Sequence, residues 1–137
     1  MKFSKAIPIA TLAKWVQASV IIGEDTLLAT GINEIHKVEQ GDITFVDVEK
    51  YYQKALNSAA SIILIDKAVD APLGKTLLVC PQPFDAYNQI VKKYRPFRPL
   101  DSQIHPSAFI HPSAIIEPNV TIGPNVTIGK NLSLIHI

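Results

Sequence analysis

Four histidines, one cysteine and a few aromatic residues are the side chains in this sequence with the most chemistry to offer. His36, His105, His111 and His136 are of the type that serves as a general base near neutral pH. His105 and His111 sit in two successive His-Pro-Ser triplets, where exposed turn positions are expected, and His36 precedes the polar run Glu39-Gln40-Gly41. Cys80 closes an apolar stretch and reads as a small buried hydrophobe. A single cysteine excludes an internal disulfide framework and fits a reducing compartment. No Cys/His cluster has metal-ligand spacing and no glycine-rich loop could cradle phosphate, so no metal or other cofactor is expected. Taken alone, Phe45 reads as a core strand residue and Tyr51 as a half-buried helix residue.

The elements that must position these side chains belong to a chain of 137 residues, 47% apolar and 18% charged, enough for one packed domain plus an appendage. A net charge of +1 with interspersed signs leaves no footprint for nucleic acid. Lys2 and Lys5 precede Ala6-Ile7-Pro8-Ile9-Ala10 as in a secretion signal, but the run is short, holds a proline and stops at Lys14. The longest apolar stretch, Ala59 to Ile65, is far below the roughly 20 residues that span a bilayer. A soluble, cytoplasmic protein without a transmembrane segment is expected.

Residues 1–94 read as a mixed α/β domain. Ile9, Leu12, Ala13 and Val16 recur at helical spacing. Gly23-Glu24-Asp25 reads as a turn before a strand over Leu27–Ile32, and a second strand covers Ile43–Val46. Asp47 is placed to cap a helix beginning near Glu49 and carrying Tyr51, Tyr52, Ala55 and Leu56. The continuous apolar runs Ser61–Ile65 and Thr76–Cys80 suit strands covered on both faces. A final helix spans Pro83–Tyr94, with Phe84, Tyr87, Ile90, Val91 and Tyr94 along one face.

Residues 95–103 form a proline-rich spacer, and residues 104–131 a repeat of period six. Ile104, Ile110, Ile116, Ile122 and Ile128 mark the period. Ala108, Ala114, Val120 and Val126 precede the later members by two, and Pro106, Pro112, Pro118 and Pro124 keep one phase. Each hexad supplies one flat face and one corner of a triangular prism. Within a face Ala108 and Ile110 point inward and Phe109 outward, while proline presets φ at the corner. Stacking such coils buries a continuous core. Coils of this kind are left-handed in the proteins that use them, so the start of a left-handed parallel β-helix is expected. With under two coils, it should fray in isolation.

The combination resembles the UDP-3-O-acylglucosamine N-acyltransferases of lipid A biosynthesis, in which a small uridine-binding α/β domain leads into a left-handed β-helix. The resemblance covers nearly the whole chain. It rests on Met1-Lys2-Phe3, Gly31-Ile32, Gly41-Asp42-Ile43-Thr44-Phe45, Lys50-Tyr51 and Ile104-His105-Pro106-Ser107-Ala108. It implies that Phe45 and Tyr51 hold the uracil ring between them. The family usually carries Asn-Pro before Lys-Tyr, where this chain has Val48-Glu49. Valine offers no hydrogen bond to the base, so Asp47, Lys50 or a backbone amide must substitute. The resemblance further implies transfer of a 3-hydroxyacyl chain from acyl carrier protein to the 2-amine of UDP-3-O-acylglucosamine by a homotrimer. The family's general-base histidine lies many coils downstream, so none of the catalytic residues is expected in this chain.

Two other readings stay open on the sequence. One is a different UDP-sugar acyltransferase or acetyltransferase on the same scaffold; the other is a non-catalytic nucleotide-sugar binding module. Leu132-Ser133-Leu134-Ile135-His136-Ile137 departs from the repeat at Ile135 and matches a translation of the transposon-end sequence used as a sequencing adapter. Residues 132–137 are therefore expected to be a non-native tail on an N-terminal fragment whose natural sequence ends near Asn131.

Overall fold

The computed structural model describes residues 1–96 and 103–134, so most of the expected proline-rich spacer, and residues 135–137 of the expected tail, lie outside the described residues. The chain divides into two compact units, 1–96 and 97–137.

The first unit is a six-stranded sheet in the order β1-β3-β4-β5-β6-β2. β3 (Leu28–Ile32), β4 (Asp42–Val46), β5 (Ile62–Ile65) and β6 (Thr76–Val79) run parallel. β1 (Lys2–Pro8) and β2 (Val20–Gly23) close the two edges antiparallel. Every residue of β5 is fully buried, as its unbroken apolar run requires of a central strand. Ile62 and Leu64 pack with Ile43, Leu78 and Cys80 on one side; Ile63 and Ile65 pack with Val46, Leu77 and Val79 on the other. Each such side chain contributes roughly 1.5–3 kcal/mol of burial. α1 (Ile9–Trp15) and α3 (Pro83–Tyr94) cover the first side. A 3-10 turn (Glu49–Tyr51) runs into α2 (Tyr52–Leu56), which covers the second.

The two edge strands were not legible in the sequence. Among the residues of β1 only Ile7 is buried, and in β2 Val20 and Ile21 are 46% and 41% exposed, so neither carries the alternation that marks a half-buried strand. The helix over residues 83–94 is found where expected, but its buried residues are Pro83, Ala86 and Ile90, and Phe84 is about half exposed. Asp47 does not cap the next helix: Val48 holds the N-cap position of the 3-10 turn and no side chain bonds there. Cys80 is buried and free, and desolvation pushes its thiol up to about 11, consistent with an inert packing role.

The second unit repeats itself. Ile104 bridges Ile122, β7 (Phe109–Ile110) pairs β9 (Thr127–Ile128), and β8 (Ile115–Ile116) pairs β10 (Ser133–Leu134), all parallel. Each partner lies 18 residues on, which is three hexads per coil and three faces, one pair on each. Phe109 and Ile115 point outward at 60% and 63% exposure, while Ile122 and Ile128 are buried. Val126, expected inside, is at the boundary at 36%. Ser133 and Leu134 keep the coil's register.

The corners explain the polar part of the hexad. The Ser107 amide donates to His105 Nδ1 at 3.2 Å, and Ser107 Oγ lies 2.8 Å from the same nitrogen. That hydroxyl oxygen also accepts the Asn125 amide of the next coil at 3.1 Å. His111, Ser113 and Asn131 repeat the arrangement. Asn119, Asn125 and Asn131 take φ of 70°, 59° and 55°, the left-handed conformation that asparagine tolerates better than most residues.

Candidate functional site

Ligands of open parallel sheets bind outside the carboxyl ends of the strands. At that end of β4 lies a cleft of about 320 Å³ lined by Ile35, Phe45, Val46, Asp47, Tyr51 and Lys54. It is built by the C-terminal half of β4, the turn leading into α2, α2 itself and the loop after β3.

The Gly41-Asp42-Ile43-Thr44-Phe45 run sets the first wall. Gly41 has a φ of 84°, and its amide donates to Ser61 Oγ at 2.8 Å. Asp42 is fully buried. Its carboxylate accepts from Asn33 Nδ2 at 2.7 Å, Lys2 Nζ at 2.9 Å and the Glu39 amide at 3.0 Å. A Cβ on Gly31 would collide with that carboxylate, which is why Gly31 is needed beside it. Burial alone would raise the Asp42 carboxyl; the bonds from Asn33, Lys2 and Glu39 outweigh it and hold the group below its ordinary value. The clamp ties both ends of the loop that carries Ile35 to the start of β4.

Phe45 then leaves the sheet toward α3, where Tyr87 and Phe84 pack against it at centroid distances of 5.0 and 5.4 Å with ring planes tilted by 53° and 54°. These tilted contacts fix its ring in the arrangement aromatic pairs favour. Tyr51 stands at the end of the 3-10 turn, 46% exposed. The next residue anchors it: the Tyr52 hydroxyl donates to Asp66 at the end of β5, and burial followed by that carboxylate raises the phenol's pKa. Lys75 closes the other end of α2, donating to the Ser58 and Ala60 carbonyls at 2.5 and 2.6 Å.

Phe45 and Tyr51 thus line one cleft without a ring contact between them. Asp47 joins them, with no hydrogen bond or ion pair on its carboxylate among the described residues. Lys50 does not join them; its ammonium lies over the Tyr51 ring, 4.9 Å from the centroid. Val48, which is 47% exposed, does not line the cleft either. Sequence reasoning missed Ile35 and Lys54. Lys54 follows Tyr51 by three residues, a spacing that puts two side chains on one helical face, so it was legible once the helix was drawn. Ile35 was not, because its place depends on the Asp42 clamp.

The described histidines, His36, His105 and His111, are placed elsewhere. His36 Nε2 is 3.3 Å from Glu34 in an exposed pair. His105 and His111 are half-buried and held in the coil corners. Among the described residues no helix is long and apolar enough to cross a membrane.

Comparison with known proteins agrees on both units. The family model described as UDP-3-O-(3-hydroxymyristoyl) glucosamine N-acyltransferase, LpxD, matches residues 26–93, and that of the bacterial transferase hexapeptide repeat matches residues 101–134. The UDP-3-O-acylglucosamine N-acyltransferase of Granulibacter bethesdensis is 30% identical over 104 residues, 74% of this chain and 30% of the relative. The enzyme of the same name from Syntrophotalea carbinolica is 29% identical over 90 residues, 66% of this chain and 26% of the relative. UDP-3-O-acylglucosamine N-acyltransferase 1 of Legionella pneumophila strain Paris is 30% identical over 100 residues, 72% of this chain and 28% of the relative. The chain therefore spans less than a third of the length of these relatives.

Proposed function

The chain belongs to the UDP-3-O-acylglucosamine N-acyltransferase family, and from that premise we propose that residues 1–94 bind the uridine of a UDP-acylglucosamine and residues 104–131 begin a left-handed β-helix. The observation that carries this reading is the single cleft shared by Phe45 and Tyr51. A pyrimidine between the two rings gains roughly 1–3 kcal/mol from stacking. Phe45 is braced from behind by Tyr87 and Phe84. Tyr51 is braced by the Tyr52–Asp66 bond, so little ordering is left to do on binding. Asp47 supplies an acceptor to the base edge in place of the amide that Val48 lacks.

In the whole protein the 2-amine of the bound sugar attacks the thioester carbonyl of a 3-hydroxyacyl chain on acyl carrier protein. The C–N bond forms, the C–S bond breaks, the carrier's thiol leaves, and a general base takes the proton from nitrogen. None of the described histidines lines the cleft, and the resemblance implies that the base lies in the length of the relatives that this chain does not span. Alone, the chain binds nucleotide and does not transfer acyl groups. We place the whole protein in the cytoplasm as a homotrimer.

Calorimetric titration of the 137-residue chain with UDP tests the binding claim. Saturable binding that weakens about tenfold in Tyr51→Ala is expected. No binding, or undiminished binding by the variant, would overturn it.

A further inference from the structure

We propose that Lys54 donates to the 4-carbonyl oxygen of the base held in this cleft, and that together with Asp47 it sets a preference for uracil over cytosine. The proposal rests on the nucleotide reading above and adds to it a residue that the spacing of Gly41 to Tyr51 does not reveal.

The edge of uracil presents an acceptor, a donor and an acceptor: one carbonyl, the N3–H group and the other carbonyl. A carboxylate satisfies only the middle position, and it repels the carbonyl oxygens on either side. A donor must meet one of them. Ile35 and Val46 have no polar side-chain atom to give. Tyr51 has a hydroxyl, but a phenol stacked on the base lies parallel to it and cannot reach its in-plane edge. Lys54 is the remaining lining side chain, and it brings the cation.

Its neighbours are otherwise engaged. Lys67 pairs with Glu49 at 3.3 Å, Lys2 with Glu39 and Asp42, and Lys75 holds carbonyls at the end of α2. Lys50 lies over the Tyr51 ring and is not among the lining residues. Among the described residues no hydrogen bond or ion pair occupies the side chain of Lys54 or Asp47, so neither must release such a partner to take a ligand. α2 is fixed at both ends, by Tyr52 on Asp66 and by Lys75, which keeps the Lys54 backbone in place.

Cytosine in the same pose inverts the pattern. Its N3 carries a lone pair toward Asp47, and its exocyclic amine points a donor at Lys54. Both contacts turn unfavourable, which makes base identity the readout that separates this role from a merely structural one.

The test is titration of the full chain with uridine, UDP and cytidine, using wild type, Lys54→Met, Lys54→Arg and Tyr51→Ala. Lys54 is exposed, so Lys54→Met should leave the melting temperature unchanged. It should weaken uridine and UDP by the same factor, about tenfold for a charged hydrogen bond, and bring the uridine-to-cytidine ratio toward one. Lys54→Arg should restore most of both. Unchanged uridine affinity in Lys54→Met overturns the proposal, whether or not UDP weakens; UDP weakening alone would assign the lysine to phosphate. Weakened uridine binding in Tyr51→Ala upholds the nucleotide reading regardless of what Lys54 does. A wild-type chain that binds neither uridine nor UDP sinks both.

Discussion

The two units are stabilised in opposite ways. In the first, the supports of the cleft are held by partners distant in sequence: Asp42 by Lys2, Tyr52 by Asp66, Phe45 by Tyr87. In the second, strand and corner partners lie 18 residues apart, and the corner His105-Ser107-Asn125 is copied one hexad on as His111-Ser113-Asn131. A repeated unit can lose one copy and keep the rest. A site assembled once, from separate segments, has no spare. The difference teaches where to look for recognition in such a chain: in the part that does not repeat.

The largest expected effect falls on the unrepeated clamp. Asp42→Ala strands the Asn33 amide and the Glu39 amide in a buried place and frees the loop that carries Ile35. A loss of about 3 kcal/mol in the first unit is expected by urea denaturation, together with loss of UDP binding. A smaller loss confined to the loop would mean that the clamp is less central than its burial implies. The same group predicts a pH signature. Its folded pKa lies below its ordinary value of 3.8, so its contribution to stability is fully present above 3.8 and is lost as pH falls through the depressed value. Asp42→Asn should flatten the acid limb of the stability curve below pH 3.8; an unaltered limb would assign it to other carboxylates.

Tyr51→Ala comes next. Tyr51 is half exposed, so its removal should leave stability within about 0.5 kcal/mol while weakening UDP binding about tenfold, within the range of one stacking contact. Phe45→Ala should weaken binding as much, but with a loss of stability as well, because Tyr87 and Phe84 lose their partner. Equal stability losses for the two would mean that the cleft's walls are braced alike.

Legibility followed the same division. The repeat announced itself because one local rule, an aliphatic residue every six positions with proline in phase, is satisfied again and again. The central strands were legible for a related reason: the Ile62–Ile65 run is apolar throughout because both faces are covered. The edges were not. β1 buries little, and β2 is an edge strand whose pairing with β6 decides its structure. At the site, Phe45, Asp47 and Tyr51 were nameable from the family resemblance and not from their own patterning, which marks Phe45 and Tyr51 as packing residues; the structure brings the three to one cleft. Lys50 was a candidate for the hydrogen bond that Val48 cannot make, yet the turn of chain before α2 directs it over the Tyr51 ring, and Lys54 occupies the lining position. Local spacing names the segment that carries a site; which side chain faces the cleft depends on how that segment is anchored.

A smaller effect is expected in the repeat. Ser113→Ala removes the hydroxyl that joins His111 to the Asn131 amide of the next coil. One exposed corner is lost, at about 1 kcal/mol or less. Hydrogen exchange should quicken at the Asn131 amide and stay unchanged at Asn125, whose bond to Ser107 is the untouched copy. Quickening at both would show that the corners are coupled, and the contrast between the units would then be one of degree.

The smallest effect should come from an ion pair that stands close to the site in sequence. Glu49 precedes Tyr51 by two residues, and its carboxylate is 3.3 Å from Lys67 Nζ. Both side chains are largely in water, at 79% and 63% exposure, where screening and side-chain entropy cancel most of the Coulomb gain. Lys67→Met should therefore shift stability by no more than about 0.5 kcal/mol and leave uridine affinity unchanged, even though Lys67 directly follows Asp66. The next-door Asp66→Asn weakens the acceptor of the Tyr52 hydroxyl and should lower uridine affinity measurably. Both changes alter one charge at the same end of β5. The two changes are opposite in sign, so opposite shifts in affinity would mean that net charge near the cleft governs binding; if only Asp66→Asn weakens it, the buried anchor of Tyr52 does.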